Sequence, residues 1–315
     1  MRTRRSVAVI SATAFALALA GMVGATGAQA APQAGVTGQA SRAADVVQRA
    51  TGTADIARST TGAGGATAQV SKPGGNVVVT APTTATGNVA VTAANGSTVT
   101  LALPATNGAA GVTTAEGTTV YPGAARGTDL AVQATTDGGA RALVTLKDSS
   151  ASTEQRFDLG LPINTRLVPA DGGYDIVQKG EAGAAFSMGH IDAPWAKDAT
   201  GKSLHTSYRL EGNTLVQSIE TDKNTAFPVV ADPKWTWGWV TGTVYFDKNG
   251  TGHVAADSGF LVAVFAAAPP PFDVYGILNS ANISRVAWNA VTDGQCVEIK
   301  IPTFLPYEYS GGYCN

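Results

Sequence analysis

Three histidines carry this chain's capacity for acid–base chemistry near neutral pH: His190, His205 and His253. His190 has Asp192 and Asp198 close by in sequence, the residue types of a carboxylate–histidine pair. Proton transfer needs such groups within hydrogen-bond reach, and nothing in this spacing enforces that. The two aspartates are likewise an acidic pair whose separation demands no catalysis. His205 falls on the polar face of a strand predicted over 204–210 and reads as solvated. His253 lies near Asn249 and Thr251, which suit the cap of a helix. The run 247–252, Asp-Lys-Asn-Gly-Thr-Gly, opens like a calcium loop, but the twelfth position, where a bidentate Glu is required, is Ser258. It reads as a turn into a helix. No G-x-S-x-G elbow, H-E-x-x-H pair, P-loop or C-x-x-C pair occurs. The sequence therefore assigns no catalytic residue, no metal ligand and no cofactor.

The aromatic residues are the other candidates. Trp235, Trp237 and Trp239 are spaced by two, so on a strand all three indoles face one side. Tyr245 and Trp288 are the expected neighbours of that stripe, and Tyr307, Tyr309 and Tyr313 crowd the end of the chain. Exposed, these eight side chains form a contact surface that stacks on sugar rings or fits a partner. Buried, the stripe is the core of a small domain, which needs every large apolar side chain it owns; this is the simpler reading of the tryptophans. The two cysteines, Cys296 and Cys314, are expected to form a disulfide, as an isolated pair does in an exported protein. Such a loop stabilises the fold by roughly 3 kcal/mol on the chain-entropy estimate.

The elements that must position these groups fall into four regions. Residues 1–30 have the layout of a signal peptide: Arg2, Arg4 and Arg5, an Ala-rich apolar run over 7–23, then Ala28-Gln29-Ala30 as the cleavage site. The run is short for a bilayer span, which takes about 20 apolar residues, so the mature chain is expected to start at Ala31, without a transmembrane span. The paired arginines leave the general and twin-arginine routes both open. Residues 31–70 are rich in Ala, Gly, Thr and Ser without an aromatic, the composition of a flexible lead-in with a turn or two of helix over 41–50. Residues 71–232 alternate apolar and polar side chains in short runs, as in Leu130-Ala131-Val132-Gln133-Ala134. Asn95-Gly96, Asp137-Gly138-Gly139, Asp171-Gly172-Gly173 and Glu211-Gly212-Asn213 punctuate them as hairpin turns. That pattern predicts a β-sandwich-like domain. Residues 233–315 predict a small α+β domain in the order β-α-α-β. Its strand runs over 236–247, its helices over 253–268 and 273–291, broken by Pro269-Pro270-Pro271, and its last strand over 296–301. The predicted fold class is thus mainly β, with a small α+β C-terminal domain.

Several motifs occur in a familiar order: Thr118-Thr119-Val120-Tyr121-Pro122-Gly123, Gly127-Thr128-Asp129-Leu130, Phe157-Asp158-Leu159, Ala193-Pro194-Trp195-Ala196-Lys197-Asp198-Ala199 and Phe227-Pro228-Val229-Val230-Ala231-Asp232-Pro233. Over 117–233 the chain resembles the β-rich module of large secreted actinobacterial wall-associated proteins, often found ahead of Rhs or YD-repeat regions. The ending Tyr309-Ser310-Gly311-Gly312-Tyr313-Cys314 is similar to C-terminal modules of other small exported actinobacterial proteins. The resemblance implies an extracellular, wall-associated setting and carries over no catalytic residue.

Charge excludes one partner class. The net charge is -2, with neither sign concentrated in a block, so the basic patch of a nucleic-acid binder is missing. The expectation is a secreted, non-enzymatic protein. It binds a cell-wall polymer, a membrane surface or an extracellular protein through its Trp- and Tyr-rich C-terminal part. A membrane-active antibacterial effector, motivated by the charge-poor helices over 254–292, and a hydrolase with unrecognised residues are the alternatives.

Overall fold

The computed structural model describes residues 31–72, 75–238, 242–267 and 280–314. The segment 1–30 expected to be a signal peptide, Trp239, the three consecutive prolines and the predicted helix start at Asp273 lie outside the described residues. The chain enters through helix α1 (Ala31–Thr51). Five strands follow: β1 (Thr60–Gly62), β2 (Gly65–Lys72), β3 (Gly75–Ala81), β4 (Asn88–Thr92) and β5 (Thr98–Ala102). Next come β6 (Val112–Thr113), β7 (Thr118–Ala125), β8 (Thr128–Ala134), β9 (Ala140–Leu146) and β10 (Glu154–Gly160). They are followed by β11 (Thr165–Ala170), β12 (Gly173–Lys179), β13 (Ala184–Ile191), β14 (Ala196–Lys197), β15 (Thr206–Glu211), β16 (Thr214–Ile219) and β17 (Val229–Ala231). The C-terminal part holds β18 (Lys234–Trp235), β19 (Thr243–Phe246), α2 (Lys248–Ala256), α3 (Ser258–Ala266) and α4 (Ser280–Thr292). It ends with β20 (Cys296–Lys300), β21 (Leu305–Tyr309) and a 3-10 turn over Gly312–Cys314.

The strands form two antiparallel sheets, and the protein is mainly β. Eight strands lie in the order β1-β2-β3-β4-β5-β10-β16-β15. The second sheet has thirteen, with the path β21-β20-β19-β13-β18-β9-β8-β7-β6 and β11, β12, β14 and β17 attached. Alternation decides which side chains face inward. In β10, Gln155, Phe157 and Leu159 are buried while their neighbours are exposed, the period of two that a half-buried strand imposes. One apolar core joins the sheets, with Val89, Val91, Leu101 and Phe157 from the first meeting Leu130, Val144, Ile176 and Phe186 from the second. Buried apolar surface of this kind is the main favourable term in folding. Polar links also cross the layers, among them the Tyr121 hydroxyl donating to the Pro82 carbonyl at 2.7 Å and the Trp237 indole donating to the Ser97 carbonyl at 3.1 Å.

The segment expected to be a flexible lead-in is ordered. α1 lays Ala40, Ala43, Ala44 and Val47 on Val120, Ala131, Leu143 and Val230 of the large sheet. Its buried stripe is almost all alanine, which lets the helix axis approach the strands closely. Lys197 donates to the Ala50 carbonyl at 3.2 Å at the helix C-terminus, where the backbone dipole favours a cation.

The C-terminal part does not form a separate sheet. β18 pairs on one side with β9 (Trp235 opposite Ala140) and on the other with β13 (Trp235 opposite Ile191). β19 then adds to β13, and β20 and β21 extend the same sheet. Its order is β-β-α-α-α-β-β rather than β-α-α-β. The first predicted helix is two helices because Asp257 closes α2 and caps α3, accepting from the Gly259 N–H at 2.8 Å. Asp247, not Asn249 or Thr251, caps α2, accepting from Gly250 at 2.8 Å. His253 stands in the last turn of α2, its ring stacked on Phe260. The apolar stretch of α3 sends Leu261, Val264 and Phe265 into the core, which accounts for much of its lack of charge. No helix among the described residues is long and apolar enough to cross a membrane.

Asp232, at the expected domain boundary, is fully buried. Its Oδ1 accepts from the Trp195 N–H at 3.0 Å and from the Tyr208 hydroxyl at 3.4 Å, while Oδ2 bonds no described residue. Burial pushes its pKa up to about 7. The unfolded chain releases this proton near pH 4, so the acid favours folding below that pH. Its contribution is lost as pH rises through 7, a change on the order of a few kcal/mol. Stability of the wild-type protein is therefore expected to fall between pH 5 and pH 8, and the fall is expected to be smaller in Asp232→Asn. Urea denaturation of both proteins across that range checks this.

Candidate functional site

The strands of the large sheet end together in a polar cleft of about 530 Å³. Its walls include the β8–β9 turn (Asp137), the β11–β12 turn (Asp171), β12 and β13 (Asp175, Ser187, His190), Thr236 after β18, and the ends of β19 and β20 (Thr243, Lys300). Lys72, at the end of β2 in the other sheet, closes it.

His190 is the centre of this cleft, and its partner is Asp175 rather than Asp192 or Asp198. The two residues sit opposite each other on β12 and β13, and Nδ1 of His190 lies 2.7 Å from Oδ1 of Asp175. The Tyr245 hydroxyl donates to Oδ2 of the same carboxylate at 2.8 Å. Asp175 is buried, whereas His190 keeps 29% of its side chain exposed. The hydrogen bond from His190 to Asp175 raises the histidine's pKa, against burial, which lowers it. Burial, together with the neighbouring Asp175 charge, pushes the Tyr245 phenol far above its usual range. The result is a line of three groups, tyrosine to carboxylate to imidazole, ending at solvent. The other aspartates are engaged elsewhere. Asp198 accepts from the Thr200 and Lys202 backbone N–H groups and so fixes its own turn, and Asp192 lies 3.7 Å from Lys234.

A bulge places the site. Ile176 pairs with Gly189 but Val177 pairs with Ser187, so Met188 is the extra residue on β13. On an uninterrupted strand Ser187 and His190 point to opposite faces; the bulge turns both toward Asp175. The Ser187 hydroxyl donates to the Gly189 carbonyl at 3.3 Å, so it is not the hydrogen-bond partner of the histidine. Gly189 itself is required by space, since a Cβ there would lie 2.2 Å from the Thr236 carbonyl oxygen.

The remaining charges are largely paired within the protein. Burial alone would raise the Asp137 pKa, but Lys234 at 2.7 Å and the Thr135 hydroxyl outweigh it and hold it at about 2. Lys300 lies 2.9 Å from Glu298 and donates to the Thr243 hydroxyl at 3.0 Å. Among the described residues no group of side chains is arranged to hold a metal ion.

The aromatic contact surface expected from the sequence is mostly core. Trp235 and Trp237 are fully buried, and Tyr245 and Tyr313 are buried against Val168, Val177 and Ala185. Trp235 and Trp237 fill the core shared by both sheets, Tyr245 and Tyr313 the smaller cluster beside it, and they are not available to a partner. Tyr309 is half-buried, packed edge-on against Tyr245 and donating to the Phe246 carbonyl. Arg166 covers the Tyr313 ring at 4.4 Å. Trp288 and Tyr307 do remain exposed, at 65% and 48%. They do not form one surface: α4 packs on the strand face that carries Val297 and Ile299, and Tyr307, opposite Glu298, looks away from that face. The disulfide joins Cys296 to Cys314 with the Cα atoms 5.5 Å apart, and ties the Tyr313 turn to β20. His205 is exposed and pairs with Glu220 at 2.9 Å, outside the cleft.

If Asp175 sets the state of His190, then Asp175→Asn lowers the histidine's pKa. Removing the Tyr245 hydroxyl in Tyr245→Phe leaves the buried carboxylate one donor short, at a cost of about 1.5–3 kcal/mol. NMR titration of the His190 ring and urea denaturation check the two outcomes. Comparison with protein-family models, with curated proteins and with solved structures finds no match.

Proposed function

We propose that this protein is an exported, non-enzymatic binding module of the cell envelope, and that its contact is the polar cleft around His190. The export-type N-terminal segment and the disulfide support the extracellular part of this reading, together with the resemblance over 117–233. The observation that carries the binding part is the cleft itself. It is a concave site built on paired strands, with a histidine oriented by a buried carboxylate and several polar side chains converging on it. Concave sites on a rigid scaffold with a few fixed polar groups are the usual form of a ligand site.

A hydrolytic reading is favoured by one observation, the carboxylate–histidine pair, which is how a general base is oriented. The test treats both. The mature protein is incubated with isolated cell-wall fragments, and bound protein and released wall products are measured together. Binding without released products is expected. The double variant Lys72→Glu/His190→Ala is expected to weaken binding by more than about tenfold in Kd, a loss above about 1.4 kcal/mol. Trp288→Ala is expected to leave binding unchanged. Soluble products that disappear in His190→Ala would establish the hydrolase instead. Loss of binding in Trp288→Ala alone would return the contact to the aromatic surface.

A further inference from the structure

Bond by bond, the cleft has more donors than acceptors left for a ligand. Both oxygens of Asp175 are taken, by His190 and Tyr245. Both oxygens of Asp137 are taken as well: Oδ1 by the Thr135 hydroxyl and the Gly139 N–H, Oδ2 by Lys234. The acid that stays unpaired is Asp171, exposed in the β11–β12 turn at the rim. On the donor side, Lys72 makes no ion pair with a described residue, and Nε2 of His190 bonds none. Thr243 accepts from Lys300 and gives its own hydrogen to the Tyr245 oxygen, whereas Thr236 accepts the His190 backbone N–H at 3.2 Å and its hydroxyl hydrogen is free to donate. Two cationic groups and one hydroxyl therefore converge where one rim carboxylate opposes them.

We propose that this cleft is an oxyanion site, resting on the binding reading above, in which Lys72 and protonated His190 hold a phosphodiester or carboxylate group of an extracellular ligand. Thr236 supplies a neutral donor, and Asp175 keeps His190 charged. A cation supplying an N–H to an oxyanion forms the stronger, charge-assisted class of hydrogen bond. The charged and titratable groups facing His190 are Asp171 and Asp175 from β11–β12, Asp192 just after β13, Asp137 with Lys234 from β8–β9 and β18, Tyr245 from β19, Lys300 from β20 and Lys72 from β2. Among these, His190 is the group that changes charge around neutrality. Ligand affinity should therefore fall as pH rises through its raised pKa.

The test uses dimethyl phosphate and acetate, each of which keeps one negative charge across pH 6 to 8.5. Binding to the full mature protein is followed by the chemical shifts of the His190 ring and by calorimetry. At least one anion is expected to saturate the site, about tenfold more tightly at pH 6 than at pH 8.5. His190→Gln is expected to bind weakly and with no pH dependence, and Lys72→Gln to bind about tenfold more weakly at both pH values. Thr236→Val, which keeps the side chain's shape, reports on the site should a charge variant fail to fold. Saturation by dimethyl phosphate alone identifies a phosphodiester polymer as the source, and by acetate alone a carboxylate. No saturable shift with either anion, or binding that all three variants leave unchanged, overturns the assignment. Should wall fragments still bind through the cleft in that case, the oxyanion assignment fails and the binding reading stands. Should the wild type bind no wall fragment while an anion saturates the cleft, the envelope reading fails and the oxyanion site stands.

Discussion

The structure depends on one short strand. Lys234 and Trp235 lie between β9 and β13 and hydrogen-bond to both, so two residues join two halves of a thirteen-stranded sheet. The joint works because glycine lines its path. A Cβ on Gly139 would lie 2.8 Å from the Trp235 carbonyl oxygen, and one on Gly238, at φ +78, would strike the Ala93 side chain at 2.1 Å. The backbone can then pass close to its neighbours while the indole of Trp235 fills the core on one face. Two residues on, Trp237 reaches the Ser97 carbonyl and ties the large sheet to the small one. The same stretch sets Thr236 beside His190, so the strand that closes the core also forms one wall of the cleft.

Local sequence and long-range pairing contribute different parts of this picture. Alternation made β8 and β15 legible, because side chains on a strand repeat every two residues. The glycine-containing turns at Asn95-Gly96 and Asp137-Gly138 were legible because they need positive φ, which Gly96 and Gly138 adopt. α1 was not legible as an ordered helix. Its buried stripe is alanine, which carries little hydrophobic signal, and its order comes from docking on Val120, Leu143 and Val230. The continuity of the sheet across Pro233 was hidden for a related reason: two residues of strand have no periodicity to read.

The cleft shows the same division. His190 could be singled out from its type, and acids near it in sequence were natural partners to consider. The actual partner, Asp175, is fifteen positions away, set by a hairpin register and by a bulge at Met188 that no local pattern announces. The tryptophan stripe is the converse case. Its alternation was real, and Trp235 and Trp237 are buried in the core shared by both sheets. Electrostatics then follows from the pairing. The sheet buries Asp175 and must compensate that charge; Tyr245 and His190 do so, and the pairing orients the His190 ring whose other side reaches solvent.

Strands β18 to β21 belong to one sheet with the strands before them, and both the core and the cleft rest on that continuity. Native-state hydrogen exchange under increasing urea, read by mass spectrometry on the mature chain, tests it most directly. The amides of β9, β13, β19 and β20 are expected to exchange through one common opening with the same free energy and the same urea dependence, since strands that share a ladder open together. Earlier exchange of β19 and β20 as a separate unit, with β9 and β13 still protected, would contradict it.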